Sequence, residues 1–180
     1  MNRIILTSGF LILLASTCLT TAVQAQTGSH IKDNTVKTPE TVVWFSEPRE
    51  ITDIRLLLQQ GQKQEAVKMA RDFLQKLRGI GGSEAQVRRY YGLSALCSAL
   101  TTTGELDEAI ESCSKAVKLY PNRWQALNNR GVAYYMSGQL ELALQDYNQA
   151  LTTVQSSEPL TALIQHNIDL LQAKKSGTGQ

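Results

Sequence analysis

The sequence is poor in the residues that carry most enzyme and metal chemistry. Its 180 residues include only two histidines, His30 and His166, and neither stands beside a cysteine or carboxylate at a zinc-binding spacing. It has no glycine-rich phosphate loop, no nucleophile elbow, and no pair of carboxylates whose surroundings suggest shifted pKa values. We therefore predict that the protein is not an enzyme, has no catalytic residues, and binds neither a metal ion nor a cofactor.

An excess of charge of one sign is also missing. Eighteen Lys and Arg residues against 16 Asp and Glu give a formal net charge of +2. This balance lacks the basic field that nucleic-acid binding requires. The length suits one domain of ordinary size. We expect no nucleic-acid partner.

Long apolar stretches are absent except at the N-terminus. Arg3 precedes a mostly apolar segment, residues 4–15, and small or polar residues follow it up to Ala25. The segment is too short for a transmembrane helix, which needs roughly 18 to 20 residues. We predict a signal peptide over residues 1–25 and an exported, periplasmic protein with no membrane span after cleavage. A secreted protein and a retained membrane anchor are the alternatives.

Cysteine is scarce as well. Of three cysteines, Cys18 belongs to the predicted signal peptide, so the mature chain keeps Cys97 and Cys113. An even number in an oxidising compartment permits a disulfide. Two buried thiols that pack between helices are equally compatible with the sequence. Both alternatives stay open at this stage.

What the sequence does contain is a helical repeat. From residue 46 to 173, apolar residues recur at spacings of three and four, and no stretch alternates as a strand would. Six positions match at an offset of 34 residues, with the same or a different residue in each pair. They are Gly104, Leu106, Ala109, Cys113, Ala116 and Val117, which correspond to Gly138, Leu140, Ala143, Tyr147, Ala150 and Leu151. A weaker copy begins at Gly61. The pattern predicts three helical hairpins and an all-α fold.

This register resembles the tetratricopeptide repeat (TPR) family, whose unit is a helix, a turn and a helix in 34 residues. The phrase AVKLYPN, with Pro121, is typical of the end of a unit. Three positions depart from the family pattern: Leu127 takes the usual tryptophan slot, Arg130 the leucine slot, and Cys97 a slot for a small residue. The resemblance implies a right-handed superhelical stack of about three repeats with a C-terminal capping helix.

The predicted organisation follows from these boundaries. It comprises a signal peptide (1–25), an extended linker (26–45), a repeat domain (46–173) with repeats near 47–80, 90–123 and 124–157 and a capping helix over 159–173, and a disordered tail (174–180). A glycine-rich break before Ser83 predicts that the next helix begins early. Arg88 and Arg89 would then project beyond the regular stack.

In the TPR family the first helix of each unit lines a concave groove that binds peptides or partner helices. The resemblance therefore implies a partner-binding site formed by Arg55, Tyr91, Gln125, Asn128, Asn129, Tyr135 and Met136. A clamp for a C-terminal carboxylate is not expected, because its lysine and asparagine slots hold Ser94, Ser98, Asn128 and Val132.

The resemblance and the signal peptide together predict a function. We expect an interaction module or assembly scaffold that binds another protein of the cell envelope. Two alternatives are a structural protein that self-associates through its last helix or residues 42–45, and a regulatory subunit of an envelope enzyme.

Overall fold

The computed structural model describes residues 47–154 and 157–177, so the predicted signal peptide and linker lie outside the described residues. The described part contains seven helices and no strand: α1 (Arg49–Gln59), α2 (Lys63–Lys76), α3 (Ser83–Thr103), α4 (Leu106–Leu119), α5 (Trp124–Met136), α6 (Leu140–Thr153) and α7 (Glu158–Lys175). Helices α1 to α6 form three hairpins, and α7 packs on the third. The prediction of an all-α helical repeat stack is confirmed. None of these helices is long and apolar enough to cross a membrane.

Each hairpin turns at an equivalent glycine. Gly61, Gly104 and Gly138 have φ angles of 75°, 86° and 80°, a region that residues with a side chain rarely adopt. The residue after each glycine donates its backbone N–H to the carbonyl five residues earlier, at 2.8, 3.0 and 2.8 Å. These bonds satisfy a carbonyl at the end of each first helix and reverse the chain in the same way each time.

One pair of buried positions, 16 residues apart, recurs between the two helices of every hairpin. The first hairpin has a large residue followed by a small one, Ile54 and Ala70, and the third has the reverse order, Gly131 and Tyr147. A Cβ atom on Gly131 would lie 2.5 Å from the Tyr147 ring, so only glycine fits there. The second hairpin fills this position with a disulfide.

The disulfide joins Cys97 of α3 to Cys113 of α4, whose Cα atoms are 5.3 Å apart. Both residues have 0% exposure. Of the two alternatives that the sequence leaves open, the structure therefore has the bonded pair.

The early start of α3 at Ser83 agrees with the sequence, but Arg88 and Arg89 do not project beyond the stack. Arg89 donates to the backbone carbonyl of Leu77 at 3.0 Å and also to that of Ile80. The guanidinium of Arg88 lies 5.3 Å from the centre of the Phe73 ring. The added turns of α3 are therefore tied to the first hairpin, because both long side chains fold back on it.

The third hairpin holds a buried ion pair. Arg130 of α5 donates two hydrogen bonds of 2.7 Å to the carboxylate of Asp146 of α6, a side chain that is almost fully buried. These bonds raise the pKa of the Arg130 guanidinium above its ordinary value. Arg130 also lies 3.3 Å from the hydroxyl oxygen of Ser114 on α4. The pair thus explains why a leucine slot of the repeat tolerates arginine: Asp146 compensates the half-buried cation.

The last helix closes the array and is longer than predicted. Ile164, Ile168 and Leu171 are buried against the third hairpin, in one cluster with Leu127 and Tyr147. Residues 174 and 175, which the sequence predicts as the start of a disordered tail, instead form the last turn of α7. That prediction is corrected for these two residues.

The disulfide generates a stability prediction. Reduction should lower the free energy of unfolding by about 3 kcal/mol, the value expected when a cross-link closes a loop of about 15 residues. Urea unfolding of oxidised and reduced protein measures this difference, with thiol labelling to establish the redox state. The double variant Cys97→Ala, Cys113→Ala serves as the control, because its unfolding midpoint should not respond to reductant. Equal midpoints for oxidised and fully reduced wild type would contradict the prediction.

Candidate functional site

The two layers of the stack differ in how closely their helices approach one another. The first helices touch in sequence, α1 with α3, α3 with α5, and α5 with α7. Within the described residues, no Cα atom of α2, α4 or α6 comes within 8 Å of another of these second helices. In a curved stack the more closely spaced layer is the inner one, so the first helices line the concave face.

The N-terminal part of this face holds two of the predicted site residues. Arg55 is exposed on α1 and forms an ion pair with Glu47. Tyr91 is half-buried on α3, and its ring packs edge-on against Tyr90 at a centroid distance of 5.4 Å. Both residues lie on helices of the inner layer, and each is engaged in a contact within the protein.

An arginine lies beneath Tyr91 at the junction of the second and third hairpins. The Arg123 guanidinium is 4.7 Å from the Tyr90 ring centre, 4.9 Å from that of Tyr120 and 5.6 Å from that of Tyr91. Arg123 is only 5% exposed. Burial raises the pKa of the Tyr120 phenol, and the nearby Arg123 cation partly opposes this change. The contact with the Arg123 guanidinium restrains the orientation of the Tyr91 ring, since cations favour the faces of aromatic rings.

The middle of the groove belongs to α5. Gln125 and Asn129 are half-buried, and Met136 is 48% exposed. The Gln125 carbonyl oxygen lies 3.5 Å from the hydroxyl of Tyr90, across the junction with α3. Asn129 has no side-chain hydrogen bond within the described residues, so its amide is available to a ligand. Met136 adds a flexible apolar side chain two helical turns further along α5.

Asn128 and Tyr135, which are predicted to contact a partner, instead contact the last helix of this protein. Asn128 is buried, and its side-chain oxygen accepts a hydrogen bond of 2.8 Å from Asn167 on α7. Lys174 lies over the ring of half-buried Tyr135, 4.5 Å from its centre, and donates to the Tyr135 backbone carbonyl at 3.2 Å. Both predicted residues therefore hold the last helix against α5, and the expectation of a freely presented Asn128 is corrected.

These contacts make α7 a wall of the groove, which the sequence analysis does not predict. Leu163 and Leu170 lie on the same side of α7 as Asn167 and Lys174, and both leucines are exposed. The repeat register contains no signal for them, because the predicted repeats end at residue 157. Only the spacing of two leucines outside the buried stripe could have indicated this second apolar face.

The groove has the chemistry of a binding surface. It combines side-chain amides and hydroxyls with exposed apolar groups, and hydrogen bonds made there replace bonds to water. The described residues contain no group of three His, Cys, Asp or Glu side chains that could hold a metal ion. Burial raises the pKa of the Tyr147 phenol, but this residue packs inside the third hairpin, away from the groove.

Substitution of two adjacent asparagines tests which of them stabilises the fold and which is available to a ligand. Asn128→Ala should lower the free energy of unfolding by about 1–2 kcal/mol, because the half-buried Asn167 amide loses its acceptor. Asn129→Ala should change it by less than about 0.5 kcal/mol, as expected at a site without such a contact. Urea unfolding of both variants measures this difference. Equal effects of the two substitutions would argue against the assignment.

Two models of the tetratricopeptide repeat family match the chain, over residues 54–122 and 124–153. Together they cover more than half of its 180 residues. Tetratricopeptide repeat protein 36 of Caenorhabditis elegans is 44% identical over 54 residues, which are 30% of this chain and 30% of that protein. The chain thus matches less than a third of the length of this relative.

Solved structures of TPR domains have a similar fold. The first TPR domain of human RPAP3 has a TM-score of 0.54 and 20% identity, over 72% of this chain and 94% of that domain. The first TPR of Spaghetti (RPAP3), bound to the HSP90 peptide SRMEEVD, has a TM-score of 0.51 and 20% identity, over 69% of this chain and 91% of the other. Similarity at this identity concerns the fold alone. With the repeat register, the three hairpins and the matching family models, the chain belongs to the tetratricopeptide repeat family.

Proposed function

We propose that this protein is a non-enzymatic interaction module or assembly scaffold that binds a peptide or helix of another protein in its concave groove. TPR domains generally mediate interactions between proteins, and TPR proteins are generally not enzymes. The observation that carries the proposal is the groove itself: Asn129 and Met136 present a hydrogen-bonding and an apolar group two helical turns apart on α5, in the inner layer.

A structural neighbour supports a peptide ligand. The Spaghetti (RPAP3) domain is bound to a short peptide of HSP90, SRMEEVD, whose last four residues are Glu-Glu-Val-Asp. In this chain the slots of a carboxylate clamp hold Ser94, Ser98, Asn128 and Val132, and Asn128 is bonded to α7. We therefore propose a ligand of other chemistry than a C-terminal carboxylate.

The proposed location is the cell envelope, in the periplasm. It rests on the signal-peptide pattern of residues 1–25, and the Cys97–Cys113 disulfide supports an oxidising compartment. Mass spectrometry of the protein from the envelope fraction should identify an N-terminal peptide that begins at Gln26. A chain that retains residues 1–25, or that occurs only in the cytosol, would contradict this location.

The proposed binding face predicts a specific loss of capture. We expect the immobilised protein to retain a partner from the envelope fraction, and the double variant Asn129→Ala, Met136→Ala to retain at least about tenfold less of it, as loss of interface anchors implies. Quantitative mass spectrometry of the retained proteins measures the ratio.

The control for this experiment lies on the second helices. Lys118→Ala with Gln145→Ala changes two residues of α4 and α6 on the other layer and should leave retention unchanged. Circular dichroism checks that all variants are folded. Equal retention by the groove variant and the control would move the site away from the groove. A regulatory subunit of an envelope enzyme would differ from a scaffold only in the identity of the retained protein.

A further inference from the structure

The last helix has three faces of different character. Ile164, Ile168 and Leu171 pack against the third hairpin, while Gln165 and Asp169 belong to a polar face and share a hydrogen bond of 3.0 Å. The third face carries Leu163 and Leu170, which are 46% and 45% exposed.

The contacts of α7 place this third face beside α5. Leu170 lies along α7 between Asn167, which bonds to Asn128, and Lys174, which contacts Tyr135. Leu163 lies one turn before Asn167, on the same strip of the helix. The leucines therefore open into the groove next to α5.

On α5, the residues that correspond to this strip are also apolar. Val132 lies between Asn128 and Tyr135, is half-buried, and packs against the cluster that holds α7. Met136 follows Tyr135 and is 48% exposed. We refer to Val132, Met136, Leu163 and Leu170 as the C-terminal patch.

The patch contains half of the large apolar side chains that are exposed in the described residues. The described residues leave six large apolar side chains exposed, and three of them are Met136, Leu163 and Leu170. A concentration of this kind on a concave face indicates a binding surface, since single exposed apolar residues are otherwise scattered.

The charge at the C-terminal end of the patch is that of the Lys174 ammonium. Lys174 is exposed at its end, and its ammonium uses one hydrogen-bond donor on the Tyr135 carbonyl, which leaves further donors for a ligand. Helix α5 contains no acidic residue, and on α7 the carboxylates of Glu158 and Asp169 lie at the first turn and on the polar face. A ligand with a carboxylate near Lys174 would complement this arrangement.

We propose that the C-terminal patch binds an amphipathic helix of a partner protein, with apolar side chains at i, i+3 or i+4, and i+7, and an acidic residue near Lys174. Leu163 and Leu170 are two turns apart, about 10.5 Å at 1.5 Å per residue, which equals the spacing of i and i+7 on a ligand helix. Side chains on one face of an extended peptide recur every ~7 Å and do not match it. This inference rests on the proposed function and specifies its ligand.

Selection from a phage-displayed library of random 16-residue peptides on the purified protein tests the proposal. The enriched peptides should share the helical apolar spacing and carry Asp or Glu towards one end. Leu163→Gln with Leu170→Gln should lower their retention at least tenfold. Leu142→Gln is the matched control, because Leu142 is 42% exposed on α6, outside the groove, and should leave retention within twofold. Lys174→Glu should shift the enriched charges from acidic to basic.

The outcomes separate this proposal from the function on which it rests. Enriched peptides that bind the leucine variant as well as the wild type, or that share an extended or proline-containing pattern, would overturn the helix at the patch but leave groove binding in place. No enrichment on any form would overturn both. A dimer in light scattering that the leucine substitutions abolish would assign the patch to a second copy of the chain and overturn the partner helix.

Discussion

The whole stack depends on how closely the two helices of each hairpin can pack at one recurring pair of positions. A large residue on one helix needs a small one on the other, as Tyr147 needs Gly131. The first hairpin satisfies the same requirement in the opposite order, with Ile54 and Ala70. The second satisfies it covalently, through Cys97 and Cys113. Because the combined volume is what must fit, the position tolerates different residues as long as both change together.

The last helix shows how one element can serve stability and recognition together. Its buried stripe covers the apolar face of the third hairpin, which would otherwise meet water. Its hydrogen bond from Asn167 to Asn128 and the contact of Lys174 with Tyr135 then align it along α5. The exposed leucines are held at fixed positions, so a ligand would bind a preformed surface and lose less entropy on ordering it.

Much of this fold could be predicted from the sequence, because the repeat has strong local signals. The turn glycines and the early start of α3 at Ser83 rest on residues that act within a few positions of one another, and the 34-residue register repeats such local signals along the chain. The contacts that differ from the prediction join residues far apart in the sequence. Asn167 meets Asn128, and Arg89 meets the carbonyl of Leu77, through tertiary packing. A repeat register cannot predict them, because α7 and the added turns of α3 lie outside it.

The sequence predicts the helices that carry the proposed site better than the contacts of its residues. Gln125, Asn129 and Met136 lie on the inner layer, as the resemblance implies. Leu163 and Leu170 escaped the sequence analysis because a capping helix is expected to be polar on its free side. Two apolar stripes on one helix can be assigned only when the structure shows which of them is buried.

The buried cross-link of the second hairpin also limits how far the chain can be stretched. If the protein carries tension between its two ends, the residues between Cys97 and Cys113 cannot extend, although they lie in the middle of the array. Cys97 and Cys113 are 16 residues apart. At about 3.4 Å per extended residue, the disulfide therefore shortens the fully extended chain by roughly 50 Å. The oxidised protein would thus be a shorter tether than the reduced one, with α3 and α4 still joined after the outer hairpins have opened.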